Sequence, residues 1–130
     1  MILVPGSKFI RKEVALWMES ILDSIKVLLN VQHYDEAFDK ELILHINSVL
    51  MICSQLGIGP KECFSITGST ETWDQFLSGR TDVEAVKNYI YMKIRLIFDP
   101  PTNSFTLDAM RRTVEEYEWR LAIQTKGADV

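Results

Sequence analysis

The feature that most constrains the fold is a run of apolar residues, spaced alternately three and four apart, near the carboxyl end. Its members are Leu107, Met110, Val114, Tyr117 and Leu121. This spacing lines side chains along one stripe of an α-helix, so we predict a long helix over residues 104–124 whose stripe packs on the core. The preceding helix must end by about Phe98 or Asp99, because Pro100 and Pro101 follow.

The same helix carries a second set of side chains on its opposite face. Trp119 lies two residues past Tyr117, which places it about 200° around the helix axis. Arg112, Glu115 and Ile123 share that face. Two interpretations are open. Either Trp119 packs flat on a neighbouring helix of its own subunit, or it lies at an interface with another subunit or partner, where Trp, Tyr and Arg are enriched.

Comparable spacings predict the other helices of an all-α bundle of four to five helices. A short helix is expected over residues 18–29, and one or two turns over residues 71–77. A central core helix is expected over residues 40–56, with Asp39 as its cap. The helix before the prolines is expected to begin at a capping box formed by Thr81–Glu84, in which the Thr hydroxyl and the Glu carboxylate bond to free amides.

The helix that follows this box is apolar over more than half of its circumference. β-Branched residues make one face, and Tyr89 and Met92 belong to a second. Such a helix is covered on both sides, either by helices of the same subunit or by another subunit. Tyr89 and Met92 therefore join the outward face of the terminal helix as candidate interface residues. Arg95 interrupts the apolar run and needs either a carboxylate partner or a route to solvent. An ion pair is the commoner outcome and is the one we expect.

Residues 57–70 form a long connection that contains three glycines and one proline. Compact domains rarely keep loops of this length without a reason. Phe64 and Ile66 alternate with Ser65 and Thr67, a pattern consistent with a brief extended segment or one edge of a β-hairpin. Two alternatives are open: the loop folds back over the core, or it contacts a partner through Phe64 and Ile66.

Charge and side-chain chemistry exclude several functions. The net charge of −4 argues against a basic surface that holds nucleic acid by its phosphates. His33, His45 and Cys53 lack the spacing of a zinc site, and we expect His45 and Cys53 to be packing residues. We find no catalytic triad, cofactor motif, secretory leader or bilayer-spanning apolar run. The chain is thus expected to be a non-enzymatic, cytosol-made protein with free thiols, no cofactor, no metal and no membrane contact.

Residues 1–17 differ from the rest of the chain, because Pro5 and Gly6 interrupt them and no sustained period follows. The codons for residues 12–14 are able to spell a ribosome-binding sequence shortly before Met18. Two interpretations stay open: an untranslated leader before a native start at Met18, or a genuine N-terminal arm. In either case we expect a single helical domain over residues 18–130.

Between residues 18 and 124 the chain resembles the small head–tail connector (adaptor) proteins of tailed bacteriophages. The resemblance rests on strings that occur in one order. They are LHINSVL at 44–50, QLGIGPKE at 55–62, FSITG at 64–68, ETW at 71–73, YMKIRLIFDPPT at 91–102 and EWRL at 118–121. None of these strings is catalytic, and residues 1–17 fall outside the pattern.

The resemblance implies an all-α subunit that assembles with itself into a ring of about a dozen copies. This ring would lie at the head–tail interface of the virion, between the portal protein and a stopper or tail-completion protein. It would extend the DNA channel, and acidic side chains would let the genome slide through without specific binding. The C-terminal helix is expected to dock on the portal and on neighbouring subunits. The helix pattern alone also permits a monomeric helical adaptor or regulator that binds another protein.

Overall fold

The computed structural model describes residues 20–32 and 34–129, with side chains described up to residue 124. Five α-helices and no strand occur in these ranges. They are α1 (Ile21–Leu28), α2 (Asp39–Gln55), α3 (Trp73–Leu77), α4 (Val83–Phe98) and α5 (Ser104–Asp129). The predicted all-α bundle with a long terminal helix is confirmed. The predictions for residues 1–17, for a start at Met18 and for His33 lie outside the described residues.

The core is built around α2 and α4. The predicted stripe of α2 is buried at Leu42, Ile46, Val49, Leu50 and Cys53. Each large aliphatic side chain removed from water in this way stabilises the fold by about 1.5–3 kcal/mol. α2 packs against α1 and α4, and α4 also packs against α5. Both apolar faces of α4 are thus covered by helices of the same subunit.

The start of α2 differs from the prediction at Asp39. The N-cap residue is Phe38, and no side chain caps the helix there. The Asp39 carboxylate instead accepts a hydrogen bond of 2.7 Å from Nζ of Lys26, a side chain that is only 1% exposed. An unpaired Lys26 ammonium in the interior would cost several kcal/mol. The Asp39 carboxylate therefore pairs with Lys26 and does not cap α2. The predicted cap at Asp39 is therefore wrong.

A capping box does occur, but one helix earlier than predicted. Thr72 Oγ1 accepts from the Gln75 backbone N–H, and Gln75 Oε1 accepts from the Thr72 N–H. At α4 the N-cap residue is Asp82, one residue later than a box at Thr81–Glu84 requires, so the predicted box is wrong. The Asp82 carboxylate accepts two hydrogen bonds of 2.8 Å from Arg80, which hold the pKa of Asp82 below its ordinary value.

The loop between α2 and α3 contains no strand and folds back over the core. Ile66 is 2% exposed, and the rings of Phe64 and Phe76 lie 5.4 Å apart. Asn47 of α2 holds the loop with two hydrogen bonds: its Nδ2 donates to the Ile66 carbonyl at 3.0 Å, and its Oδ1 accepts from the Ile66 N–H at 2.7 Å. The loop therefore folds back over the core, which was the first of the two alternatives. Ile66 is buried, so a partner contact stays a prediction only for the part of the loop that is exposed.

Arg95 does not form the ion pair expected of it. Its Nη1 donates to the Tyr91 hydroxyl at 2.9 Å, and its Nε donates to the Asp99 carbonyl at 3.3 Å. The hydroxyl and the last carbonyls of α4 are within reach of the guanidinium on its own helix, and a cation near the carboxyl end of a helix also meets the negative end of the helix dipole. The hydrogen-bonding needs of Arg95 are thus met without a carboxylate.

Candidate functional site

The inward face of α5 is the seam predicted from the sequence. Val114 and Leu121 are buried, and Leu107, Met110 and Tyr117 are partly buried. The seam packs on α4. α5 is therefore fixed to its own subunit along one side only.

Polar contacts fix the rotation of α5 about its axis. Glu118 accepts a hydrogen bond of 2.7 Å from the Tyr89 hydroxyl, and Lys93 Nζ lies 3.2 Å from the same carboxylate oxygen. Burial, reinforced by the hydrogen bond and charge of Glu118, raises the pKa of Tyr89. Nearby, Asn88 Nδ2 donates to the Tyr117 hydroxyl at 3.0 Å. Because Glu118 is held against α4, the next residue, Trp119, points away from it.

The outward face of α5 is exposed. Trp119 is 64% exposed, and Arg112, Glu115 and Ile123 are exposed beside it. The interpretation in which Trp119 lies flat on a neighbouring helix of its own subunit is therefore wrong. Trp and Arg, both present on this face, are enriched among the residues that dominate binding energy at protein interfaces.

Phe105 belongs to the same face and was not predicted from the sequence. It is 84% exposed and lies two steps of seven residues before Trp119, which is about 21 Å along the helix axis. Counting back by sevens from Trp119, through Arg112 to Phe105, would have found it. We call Phe105, Arg112, Glu115, Trp119 and Ile123 the outer stripe.

Other candidate interface residues lie inside the subunit. Tyr89 is fully buried and bonds to Glu118 of α5, and Met92 is 7% exposed. Both side chains are therefore buried within the subunit and not exposed for an interface, because periodicity predicts an apolar face but not which neighbour covers it. Ile66 is likewise part of the core, and Phe64 packs on Phe76. The outer stripe is the part of the predicted interface that reaches the surface.

A second surface feature is a cleft of about 370 Å³ between α1, α3 and α4. Its lining includes Val27, Leu28, Trp73, Glu84, Lys87 and Tyr91. Trp73 forms one wall, and its position is fixed because its indole N–H donates to the buried Ser24 hydroxyl at 2.7 Å. Lys87 Nζ lies 5.6 Å from the centre of the Trp73 ring. The cleft is mainly apolar, with charged groups at its rim. We call it the α1/α3/α4 cleft.

The two thiols of the chain differ in their exposure to solvent. Burial raises the pKa of the Cys53 thiol to about 12, so this group is protonated at neutral pH, while Cys63 is exposed and both thiols are free. Within the described ranges no group of three His, Cys, Asp or Glu residues is placed to hold a metal ion. No helix in the same ranges has the length and apolarity needed to span a membrane.

The described residues thus form an all-α bundle whose terminal helix exposes the outer stripe to solvent. A model of the phage connector protein family matches residues 21–128, from the first residue of α1 to within one residue of the end of α5. The chain belongs to the phage connector protein family, as the resemblance predicted. Connector proteins are structural components of the virion that assemble with other head or tail proteins. No curated protein and no solved structure matches the chain.

Proposed function

We propose that the protein forms a ring between the portal and the stopper or tail of a tailed phage, and that this ring extends the DNA channel. The observation that carries the proposal is the outer stripe of α5. One side of α5 is held by the seam and by Glu118, while the opposite side leaves Phe105 and Trp119 largely in water. Aromatic anchors with Arg nearby are the residues that dominate binding energy at protein interfaces.

The charge of the chain supports a channel through which DNA passes without being held. The net charge is −4, and cyclic symmetry repeats every carboxylate around the axis of a ring. Such a lining repels DNA phosphates at distances up to about 8–10 Å at physiological salt. The genome then slides past the ring instead of binding to it, which is what passage during packaging and ejection requires.

The experiment compares the assembly of Trp119→Ala with that of a matched control, Met51→Ala. Met51 is also an exposed apolar residue, but it lies on α2. Native mass spectrometry and light scattering are run on the subunit alone and with the portal protein of the same phage. We expect the wild type and Met51→Ala to form a ring. Trp119→Ala should keep its helical circular dichroism and weaken assembly by about 2 kcal/mol or more, roughly thirtyfold per contact.

Two results would overturn the proposal. The first is a wild-type chain that stays monomeric both alone and with the portal, which would favour a monomeric helical adaptor or regulator. The second is a Trp119→Ala variant that assembles as well as Met51→Ala, which would remove the outer stripe from the interface.

A further inference from the structure

The ring proposed above needs a surface that receives the outer stripe, and the α1/α3/α4 cleft has the required chemistry. We propose that the neighbouring subunit inserts its Trp119 into this cleft, with its α5 lying parallel to α4. This inference rests on the proposed ring function, which it extends by naming both sides of the contact. The occupant is therefore a second copy of this chain.

The cleft and the outer stripe are different surfaces of one subunit. The seam that packs on α4 includes the buried Val114 and Leu121, whereas Trp119 is 64% exposed on the opposite face of α5. A subunit's own Trp119 therefore cannot enter its own cleft. Contacts between two different surfaces are head-to-tail, and they generate closed rings when the rotation between subunits closes. A pairing of cleft with stripe thus provides the type of contact that a ring requires.

The two surfaces carry the same helical spacing. The cleft side presents Glu84, Lys87 and Tyr91 on α4, and the stripe side presents Arg112, Glu115 and Trp119 on α5. Both sets occur at positions i, i+3 and i+7, which fall on one face of a helix. Each α5 residue lies 28 positions after its α4 counterpart in the sequence. The two sets therefore match residue for residue when the α5 of one subunit runs parallel to the α4 of the next.

In this register the charges at the rim are complementary. Arg112 lies opposite Glu84, and Glu115 lies opposite Lys87. The Glu84 side chain is 90% exposed and lies 3.7 Å from Lys87 within its own subunit, so it is available to a neighbour. An antiparallel arrangement keeps only one of these ion pairs. Exposed rim charges add little affinity but fix register and orientation, and here they favour the parallel arrangement.

The same register places Trp119 opposite Tyr91, at the mouth of the cleft. Val27 and Leu28, each a little under half exposed, and the fixed ring of Trp73 supply an apolar surface for the incoming indole. The volume of about 370 Å³ has room for on the order of a dozen waters. An aromatic side chain would displace these waters and gain edge or stacking contacts with the aromatic rings.

The test is a cross-link between subunits in the predicted register. Cys63→Ser removes the exposed native thiol, and Cys53 is buried. Glu84→Cys and Arg112→Cys are then combined in one chain, assembled with the portal and treated with a short bis-maleimide. We expect a ladder of covalent oligomers on a denaturing gel, because each subunit contacts two neighbours through different surfaces. The matched control, Met51→Cys with Arg112→Cys, carries as many surface thiols and should give no ladder.

A second variant asks whether Trp119 anchors the contact. Adding Trp119→Ala to the Glu84→Cys, Arg112→Cys chain should lower the cross-link yield at least about tenfold, because the remaining rim charges bind weakly. An unchanged yield would show that Trp119 is not the anchor. The parallel register would be overturned if the pair Glu84→Cys and Arg112→Cys gave no ladder while the pair Glu84→Cys and Ile123→Cys gave one.

Native mass spectrometry of the same samples separates failure of this inference from failure of the ring function. Rings that form without a Glu84-to-Arg112 cross-link would show that the cleft does not receive Trp119, while the proposed function stands. Chains that form no ring, alone or with the portal, would overturn both proposals together.

Discussion

At the residue scale, a few buried polar side chains join elements that apolar packing alone would leave free to slide. The Trp73 indole N–H bonds to the Ser24 hydroxyl, and Ser24 in turn donates to the Ile21 carbonyl at 3.1 Å. Lys26 pairs with Asp39 between α1 and α2. Apolar periodicity does not reveal such pairs, because it reports burial and not the direction in which a polar group bonds.

We predict that Ser24→Ala lowers the free energy of unfolding by about 1–3 kcal/mol, since it leaves the buried Trp73 N–H without an acceptor. Urea unfolding followed by circular dichroism measures the change. The matched control is Ser48→Ala, whose hydroxyl bonds to the Leu44 carbonyl in the same way but at an exposed position. That variant should stay within about 0.5 kcal/mol of wild type. Equal losses in the two variants would contradict the structural role of the Trp73 bond.

A second prediction concerns Gly59, which packs closely against Phe76. A Cβ at this position would lie 2.5 Å from Cε1 of Phe76, on a backbone with φ of +90°. Gly59→Ala should therefore destabilise the fold by about 2 kcal/mol or more, through both backbone strain and overpacking. Gly79→Ala shares a positive φ but meets no atom within 4 Å, and Gly68→Ala meets neither problem. Thermal unfolding should rank the three variants in that order, and a Gly59→Ala variant as stable as Gly68→Ala would contradict the packing of the loop.

At the scale of elements, the apolar pattern predicted all five helices but not how they begin. The stripes of α2 and α5 have strong helical periodicity, so their core faces were predictable. The starts of α2 and α4 were not. The Asp39 carboxylate, predicted to cap α2, pairs with Lys26 instead. At α4 the N-cap residue is Asp82 and not Thr81, as the predicted box requires, and the Asp82 carboxylate pairs with Arg80. The length of the loop after α2 suggested that the loop contacts a partner. In the structure, part of the loop supplies core residues, namely Ile58 and Ile66.

An element-scale prediction concerns the attachment of that loop. Asn47→Ala removes both hydrogen bonds to Ile66 and should destabilise the loop by about 1–3 kcal/mol, because two part-buried backbone groups lose their partners. Hydrogen exchange should show faster exchange of the Ile66 amide while the amides of α4 and α5 keep their protection. Asn88→Ala, which removes a bond to Tyr117 at the other side of the bundle, is the control. Unchanged exchange at Ile66 in Asn47→Ala would show that the loop is held by its apolar contacts alone.

At the scale of the whole molecule, two helix faces were candidate interfaces from the sequence: the second apolar face of α4 and the outward face of α5. In the structure one of them is buried and the other is exposed. Tyr89 and Met92 turn inward, whereas the outer stripe remains in water. Both sets of residues have helical spacing, so the sequence alone does not predict which set is covered by helices of the same subunit. Phe105 was not predicted for a related reason. It is a single aromatic residue at the start of α5, and its position on the outward face is evident only from its spacing of 14 residues before Trp119.

We expect copies of this subunit to form the proposed ring at the head–tail joint. Single-particle cryo-electron microscopy of that joint in intact virions would show whether they do. We predict density for a closed ring of five-helix subunits between the portal and the tail, with the outer stripe of each α5 buried against a neighbouring subunit or the portal. A joint that lacks this subunit would contradict the proposed ring, and one that contains it with Phe105 and Trp119 still exposed to solvent would contradict the proposed interface.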